Sequence, residues 1–271
     1  MQAQKTANMD TENSYFPRQM RSLVPHLIII NALFWLASTI LPQKFGIDLV
    51  QVLGLHYWQA SNFHVWQLLT YMFMHDTTSI WHLFFNMFSL FIFGRIVEQV
   101  WGSKRFLFYY MVCGLGAGLV QELTWMIDLN SVLKAFDSSI TVGSAVGQED
   151  IFGRYFSTTD WSSVSTGELM RARSVLLNKF ITIGASGAIF GLLLAFGWLF
   201  PDEKLFIMFI PIPIKARWFV PVYAIIELVA GVSNFSFDNV AHFAHLGGML
   251  FGLLLLLYWR HRGTLYLSQE S

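Results

Sequence analysis

The stretch of sequence that decides the fold is residues 180–200, which read FITIGASGAIFGLLLAFGWLF and contain no charged side chain. An apolar run of about 20 residues is long enough, as a helix, to cross the roughly 30 Å hydrocarbon layer of a membrane. Ser186 stands near the beginning of this run, in the segment GASG between Gly184 and Gly187. The stretch therefore predicts a membrane-spanning helix that carries a hydroxyl group near one end.

Five other apolar runs of comparable length predict five further spans. The 271-residue chain is 55% hydrophobic and only 13% charged, so it is more apolar than a soluble domain of ordinary composition. We therefore predict an all-α, polytopic membrane protein with six transmembrane helices. The spans are predicted at Val24–Leu41, Ile80–Val100, Phe106–Leu129, Phe180–Phe200, Trp218–Val232 and Val240–Trp259.

The charge balance argues against a nucleic acid partner. Lys plus Arg and Asp plus Glu each number 17, so no excess of either charge favours binding to nucleic acid or to anionic lipid through a charged surface. The single cysteine, Cys113, lies in an apolar stretch and excludes an intrachain disulfide.

The chain divides into a membrane domain and three polar segments. We predict a short N-terminal tail at residues 1–22, a six-helix membrane domain at 23–260 and a C-terminal tail at 261–271. Within the membrane domain, residues 129–178 form a polar insertion between the third and fourth spans. The first 22 residues contain no apolar core, so we expect no cleavable signal peptide there.

Basic residues predict the orientation of the spans. When the long third loop is set aside, the opposite face of the predicted membrane domain has only Lys44. Loops rich in Lys and Arg stay in the cytoplasm, so we expect both termini to be cytoplasmic and the insertion to be outside. We further expect the plasma (inner) membrane of a prokaryote. The eleven basic residues of the tails and of the loops after spans two and four are Lys5, Arg18, Arg21, Arg95, Lys104, Arg105, Lys204, Lys215, Arg217, Arg260 and Arg262.

Polar side chains inside the predicted spans are candidates for chemistry. Such groups are costly in a membrane and often mark a functional site. On the predicted topology, Ser186, His245 and the pair His82 and Asn86 all fall in the non-cytoplasmic halves of spans four, six and two. A serine hydroxyl becomes a nucleophile when a neighbouring base takes its proton, so Ser186 and His245 form a candidate nucleophile and base. The amide of Asn86 and the backbone N–H of Ser186 are candidate donors to an oxyanion.

Glycines give a reason for spans four and six to lie close together. Gly184 and Gly187 recur at helical spacing in span four, and Gly248 and Gly252 continue the helix face of His245 in span six. Small residues at such spacing let two helix backbones approach. The same glycines are also compatible with a simple packing stripe in which Ser186 is only a small residue and Asn86 only bonds neighbouring helices.

In their order along the chain, these segments resemble the rhomboid family of intramembrane serine proteases. The resemblance rests on WQLLTYMFMHDTTSIWHLFFNM at residues 66–87, GRIVEQVWGS at 94–103, GASG at 184–187 and AHLGGMLFG at 244–252. One departure is Gln67, which stands where the family often has arginine.

The resemblance implies a role for each matched residue. Ser186 would be the nucleophile and His245 the base, His82 and Asn86 would line the oxyanion hole, and Phe190 would stack on the catalytic histidine. It also implies a substrate gate formed by the fifth span and the loop Ser233–Asn239, with Phe235 and Phe237.

We therefore expect a serine endopeptidase that cleaves transmembrane segments of membrane-protein substrates near the non-cytoplasmic face. The expected substrate has a helix-destabilised transmembrane segment, because a helix must unwind before its carbonyl groups can be attacked. We expect no cofactor and no catalytic metal. No acidic residue follows His245 in span six, so a Ser-His dyad without a carboxylate is expected.

Two alternatives predict other functions. A non-catalytic rhomboid-like protein would bind membrane clients, but such a protein is expected to lack Ser186 or His245. A metal site or transporter would use His82, His242 and His245 as ligands. The second alternative is disfavoured because no HExxH motif is present and no carboxylate accompanies these histidines in the outer halves of spans two, four and six.

The predicted orientation can be tested by the accessibility of single cysteines. In a variant whose native Cys113 is replaced by serine, cysteines placed singly within residues 130–177 should react with a membrane-impermeant thiol reagent from the non-cytoplasmic side. A cysteine placed at Ser103, after the second span, is the control and should stay unlabelled. Labelling of the insertion only after the cytoplasmic side is opened would reverse the orientation.

Overall fold

The computed structural model describes residues 22–157, 161, 163–207, 210–233 and 241–266. The predicted all-α architecture is confirmed, because helices account for most of these residues. Helices coincide with all six predicted spans. They are α1 (Val24–Phe45), a continuous helix over Ile80–Trp101, α6 (Ser103–Val142), α9 (Ser186–Leu199), α10 (Ala216–Ser233) and α11 (His242–His261).

Within the described residues, five of these six helices are long and apolar enough to cross a membrane. The sixth, α9, has only 14 residues, so the count of six full spans is not confirmed. Large apolar side chains such as Leu33 on α1 and Ile225 and Ile226 on α10 point outwards and are more than half exposed. A contiguous apolar exterior of this kind suits lipid rather than water.

The short helix α9 lies in the centre of the bundle. Its sequence is apolar on all sides, and a helix with no polar face is stable only when it is surrounded. Ten of its 14 residues are buried, and its neighbours are α11, α6 and α10. The helix that begins with Ser186 is therefore enclosed by the longer helices.

Glycines let the backbones of α9 and α11 meet directly and let side chains of α6 pack against both helices. A Cβ atom built at Gly248 of α11 would overlap the carbonyl oxygen of Gly187 of α9. A Cβ at Gly191 would overlap the side chain of Cys113 on α6, and a Cβ at Gly252 would overlap the hydroxyl of Tyr109 on the same helix. The predicted close approach of spans four and six is present at these residues.

The second span contains a local irregularity and ends at a buried carboxylate. It consists of α4 (Ile80–Ser89), a π-helical turn (Leu90–Gly94) and α5 (Arg95–Trp101). Glu98 of α5 accepts hydrogen bonds from the backbone N–H of Leu23 at 2.6 Å, from the Ser103 hydroxyl at 2.5 Å and from the Ser22 hydroxyl. A carboxylate is favourable at helix N-termini, so Glu98 stabilises the N-terminal ends of α1 and α6 and holds them close to α5.

The loop between the first two spans is ordered around Gln67. This loop contains α2 (Leu49–Leu53), β1 (Leu55–His56) and α3 (Gln67–Thr70). The buried Gln67 side chain accepts from the backbone N–H groups of His56 and His64 and donates to the carbonyl of Asn62 at 2.8 Å. Gln67, which stands where the rhomboid family often has arginine, therefore still orders this loop, through an amide group instead of a guanidinium.

Two short antiparallel strand pairs were not anticipated from the sequence. Strand β1 pairs with β2 (Ile181–Thr182), which joins the first loop to the segment just before Ser186. Strands β3 (Lys204–Ile207) and β4 (Ile210–Lys215) form a hairpin between α9 and α10. The first pair matters for the site because it holds the chain that leads into α9.

The insertion between the third and fourth spans is helical. At 1.5 Å per residue, the 40 residues of α6 extend about 60 Å, roughly twice the thickness of the hydrocarbon layer. Its final turns pack against α7 (Glu149–Phe152) and α8 (Thr166–Lys179). Phe136, Phe152 and Trp161 form an aromatic core there, with ring centroids 4.6 and 4.7 Å apart.

Gly248→Ala should destabilise the bundle, because its methyl group cannot fit against the Gly187 carbonyl unless α9 and α11 separate. We expect a loss of about 1–3 kcal/mol, the usual range for overpacking a core. Thermal unfolding in detergent measures the effect. Gly167→Ala in α8 is the matched control, because its Cβ would meet nothing within 4 Å and alanine favours a helix. Equal stability of the two variants would contradict the close contact.

Candidate active site

Ser186 and His245 are brought together at the N-terminal ends of two adjacent helices. Ser186 is the first residue of α9, and His245 lies in the first turn of α11. The Ser186 Oγ is 2.8 Å from the His245 Nε2, which is hydrogen-bonding distance. The pairing expected from the sequence is therefore present. Gly187, which directly follows Ser186, contacts Gly248, which lies about one turn after His245.

The aromatic ring of Phe190 stacks on His245. The two ring centroids are 4.1 Å apart and the ring planes differ by 8°. Phe190 follows Ser186 by four residues on α9, so both side chains lie on the helix face that meets α11. The predicted stacking position is observed, and it limits the rotation of the imidazole away from Ser186.

A carboxylate from a third helix binds the other side of His245. Glu227 of α10 lies with its Oε2 2.8 Å from the Nδ1 of His245 and 2.7 Å from the Nδ1 of His242. Its residue exposure is 5%. The expectation that His245 has no carboxylate partner is wrong, because it considered only acidic residues on the same span. Glu227 is the one acidic or basic residue in the run VPVYAIIELVAGV at residues 220–232, a signal that could have identified it.

His82 of the second span lines the same cavity as Ser186. The backbone N–H of Asp76 donates to the His82 Nδ1 at 3.3 Å, so the proton of this imidazole is on Nε2. A Cβ built at Gly184 would lie 3.0 Å from His82 Nε2 and 3.7 Å from Ser186 Oγ. The Nε2–H group therefore lies on the side of the ring nearest Gly184, in the cavity that Ser186 also lines.

Asn86 lies one turn further along α4, in the wall of the same cavity. Its amide nitrogen donates to the carbonyl of His82 at 2.8 Å, which uses one of its two N–H groups. The cavity has a volume of about 520 Å³ and is lined by Asn86 and His82 together with Ser186, His245, Asp76, Ile181, Thr182, Ile183 and Ala241. The four predicted site residues thus share one cavity.

The turn before Ser186 requires glycine. Gly184 has a φ of +123°, a conformation that other residues rarely adopt, and any Cβ would crowd His82. Its N–H donates to the carbonyl of Tyr71 at 3.0 Å. This fixed turn directs the first backbone N–H groups of α9, which have no acceptor within the helix, towards the cavity.

His75 supports His82 from the preceding loop. It is fully buried, and its ring centroid is 5.1 Å from that of His82. Burial lowers the pKa of His75 to about 3, so the ring is neutral at physiological pH. Neither ring nitrogen has a hydrogen-bond partner among the described residues. His75 is thus a neutral, buried neighbour of His82.

An apolar cleft opens between the second and fifth spans and reaches Phe190. Its volume is about 900 Å³, and most of its lining is apolar, with side chains from α4 and α10, among them Phe88 and Val222, and others from α9 and from the hairpin of β3 and β4. Of the predicted gate, α10 and Ser233 belong to the described chain. The rest of Ser233–Asn239, including Phe235 and Phe237, lies outside the described residues.

Most of the chain matches a known protein family. The model of the Rhomboid domain family matches residues 62–133 and 138–262. An uncharacterized mitochondrial rhomboid protein of Schizosaccharomyces pombe is 26% identical over 219 residues, which cover 75% of this chain and 55% of the relative. Rhomboid protein 1, mitochondrial, of Saccharomyces cerevisiae is 26% identical over 141 residues, covering 52% of this chain and 39% of the relative.

Rhomboid-like protein 11, chloroplastic, of Arabidopsis thaliana is 25% identical over 239 residues, covering 83% of this chain and 64% of the relative. The chain thus spans less than two thirds of the length of each of these relatives. All three carry the names of organelles, so they give no support to the expected prokaryotic inner membrane. The apolar helices indicate an integral membrane protein. Because the Rhomboid domain model matches most of its length, the chain belongs to the rhomboid family.

Proposed function

We propose that this protein is an intramembrane serine endopeptidase in which Ser186 is the nucleophile and His245 the general base. The observation that carries the proposal is the 2.8 Å contact between Ser186 Oγ and His245 Nε2 inside a cavity of the helix bundle. Its substrates are transmembrane segments of other membrane proteins, as the family membership suggests.

Glu227 sets the tautomer that this reaction needs. A carboxylate accepts hydrogen bonds, so the His245 Nδ1 carries the proton and Nε2 presents its lone pair to Ser186. The assignment makes Glu227 a positioning residue, and the site becomes a Ser-His-Glu triad rather than a dyad. The carboxylate also stabilises the imidazolium that forms when His245 takes a proton.

The reaction proceeds in two acyl-transfer steps. Ser186 Oγ attacks the peptide carbonyl carbon while its proton passes to His245 Nε2. His245 then gives that proton to the leaving amine, and the C–N bond breaks to form an ester on Ser186. In the second step a water molecule loses a proton to His245 and attacks the ester, and the proton returns to Ser186 Oγ as the acid leaves.

Three donors are suited to the oxyanion of both tetrahedral intermediates. They are the His82 Nε2–H, the second N–H of the Asn86 amide and the backbone N–H of Ser186 at the start of α9. They come from two helices that the first loop and the Gly184 turn hold in place, so they are oriented before the substrate arrives. Fixed donors of this kind contribute most when they need not reorganise during the reaction.

The apolar cleft between α4 and α10 offers a route for the substrate. A transmembrane helix that leaves lipid needs an apolar surface until its backbone unwinds, and the cleft is lined mainly by aromatic and aliphatic side chains up to Phe190. The polar cavity behind Phe190 then receives the unwound segment. Substrates with poor helix formers near the cut are favoured, because unwinding them costs less.

The length of α9 determines the depth of the reaction. Its 14 residues extend about 21 Å against a hydrocarbon layer of roughly 30 Å. With Leu199 at one edge of the layer, Ser186 lies about 9 Å below the other edge. On the orientation predicted from the basic residues, this is the non-cytoplasmic edge, and both termini are cytoplasmic.

Replacing the nucleophile tests the reaction class. In Ser186→Ala, we expect cleavage of a reconstituted transmembrane reporter to disappear and labelling by a fluorophosphonate probe to be lost. Ser131→Ala, which changes an exposed serine of the insertion, is the matched control and should retain both activities. Cleavage by Ser186→Ala at more than a tenth of the control rate would refute the assignment of the nucleophile. If the folded wild-type protein itself were neither labelled nor able to cleave the reporter, a client-binding function would be favoured.

Replacing Glu227 tests the triad. Glu227→Gln keeps the size of the side chain, but its amide can donate to His245 Nδ1 and so stabilise the wrong tautomer. We expect kcat to fall on the order of a hundredfold or more while KM changes little. Glu203→Gln, at an exposed carboxylate, is the control. A change in KM alone, or a kcat equal to that of the control, would reduce Glu227 to a structural ion-pair partner.

A further inference from the structure

Glu227, His242 and His245 form a cluster with the donor set of a metal site. Their candidate ligand atoms all lie within 4.8 Å of one another. The side chains of Glu227, His242 and His245 are 7, 13 and 10% exposed, respectively. Two imidazole nitrogens and one carboxylate oxygen, with a place for water, make up a ligand set that zinc and similar cations prefer.

The distances within the cluster allow a metal to replace the hydrogen bonds. The two Nδ1 atoms lie 2.7 and 2.8 Å from the same oxygen of Glu227. In a tetrahedral site with bonds of about 2.0–2.1 Å, ligand atoms are about 3.3 Å apart. Each contact therefore needs to lengthen by about 0.5 Å, which rotation of the Glu227 carboxylate can supply.

The cluster lies between two cavities, so a cation has a path to it. On one side is the cavity of Ser186 and His245. On the other side, a cavity of about 630 Å³ is lined by His242 with Asp128 and Gln121 of α6 and with Arg154 and Tyr155 of the insertion. Ala241 lines both cavities. The Asp128 carboxylate attracts a cation to this second cavity, whereas Arg154 opposes it.

We propose that Glu227, His242 and His245 bind one divalent cation of the zinc class, and that metal binding and catalysis exclude one another. The claim that a cation binds depends only on the cluster of three side chains. The claim that binding excludes catalysis rests on the proposed protease function. The sequence-based alternative grouped His82 with His242 and His245. In the structure, the side chain that lies with His242 and His245 is Glu227 and not His82.

Exclusion follows from the tautomer of His245. A metal bound at Nδ1 uses the lone pair of that atom, so the single proton of the neutral ring moves to Nε2. Nε2 then donates to Ser186 Oγ and has no lone pair to accept the serine proton. The metal also occupies the carboxylate that orients the ring. Bound zinc thus inhibits the enzyme without contacting Ser186.

Metal binding is measured first on full-length Ser186→Ala in detergent micelles, which requires no protease activity. After chelator treatment, the protein is titrated with Co²⁺, whose visible absorption reports a tetrahedral nitrogen and oxygen site, and Co²⁺ is then displaced by Zn²⁺. We expect one cation per chain. Mg²⁺ should not displace it, because magnesium prefers six oxygen ligands.

The diagnostic variant is His242→Asn, made in the Ser186→Ala background. The asparagine amide can still donate to Glu227 but provides no imidazole, so affinity for Zn²⁺ should fall at least tenfold. His261→Asn, at the other end of α11, is the matched control and should bind as before. Should His242→Asn fail to fold, Glu227→Gln serves in its place, because it also removes a ligand.

Inhibition is then measured on the chain with Ser186 intact. Zn²⁺ should inhibit cleavage of the reporter at the concentrations at which it binds, and His242→Asn should raise the inhibitory concentration at least tenfold. Absence of bound Co²⁺, or binding unchanged by His242→Asn, would overturn the metal site. Full cleavage with zinc bound would overturn the exclusion. Metal binding by a chain that never cleaves the reporter would support the site while counting against the proposed protease.

Discussion

The contact between Gly187 and Gly248 is the constraint on which the site depends. Because neither residue has a side chain, the backbones of α9 and α11 meet directly; Ser186 is the neighbour of Gly187, and His245 lies about one turn before Gly248. A side chain at either glycine would separate the two helices and lengthen the 2.8 Å contact between Ser186 Oγ and His245 Nε2. The apolar sequence of α9 also holds this helix against its neighbours, because a helix without a polar face is stable only at the centre of the bundle.

The first loop and the second span complete the site from the opposite side. Gln67 orders the first loop, and this loop holds the turn before Ser186 at two places: β1 pairs with β2, and the Tyr71 carbonyl accepts from the Gly184 N–H. The backbone N–H of Asp76 donates to the His82 Nδ1, which leaves the His82 proton on Nε2. A loop that appears irregular in sequence thus holds the proposed oxyanion donors in place.

Glu227 links the proposed catalysis to the proposed metal site. A carboxylate buried in a helix bundle costs several kcal/mol unless it is paired, and here two imidazole N–H groups offset that cost. The arrangement that fixes the His245 tautomer for proton transfer also collects the ligands of a zinc-class cation. The proposed catalysis requires the His245 proton on Nδ1, whereas metal binding requires it on Nε2. The position of this one proton therefore distinguishes the two functions.

The sequence by itself determined the membrane fold, the helix positions and the residues Ser186, His245, His82 and Asn86. These features depend on local apolar length and on short motifs such as GASG and AHLGGMLFG, which can be read within one segment. Only the tertiary structure decided that Glu227 pairs with His245, that Gln67 orders the first loop and that the insertion packs as helices on α6. Glu227 and His245 are 18 residues apart on different helices, and the rotation of each helix about its axis decides which side chains meet. That rotation is set by packing among all the helices, which no single segment of sequence specifies.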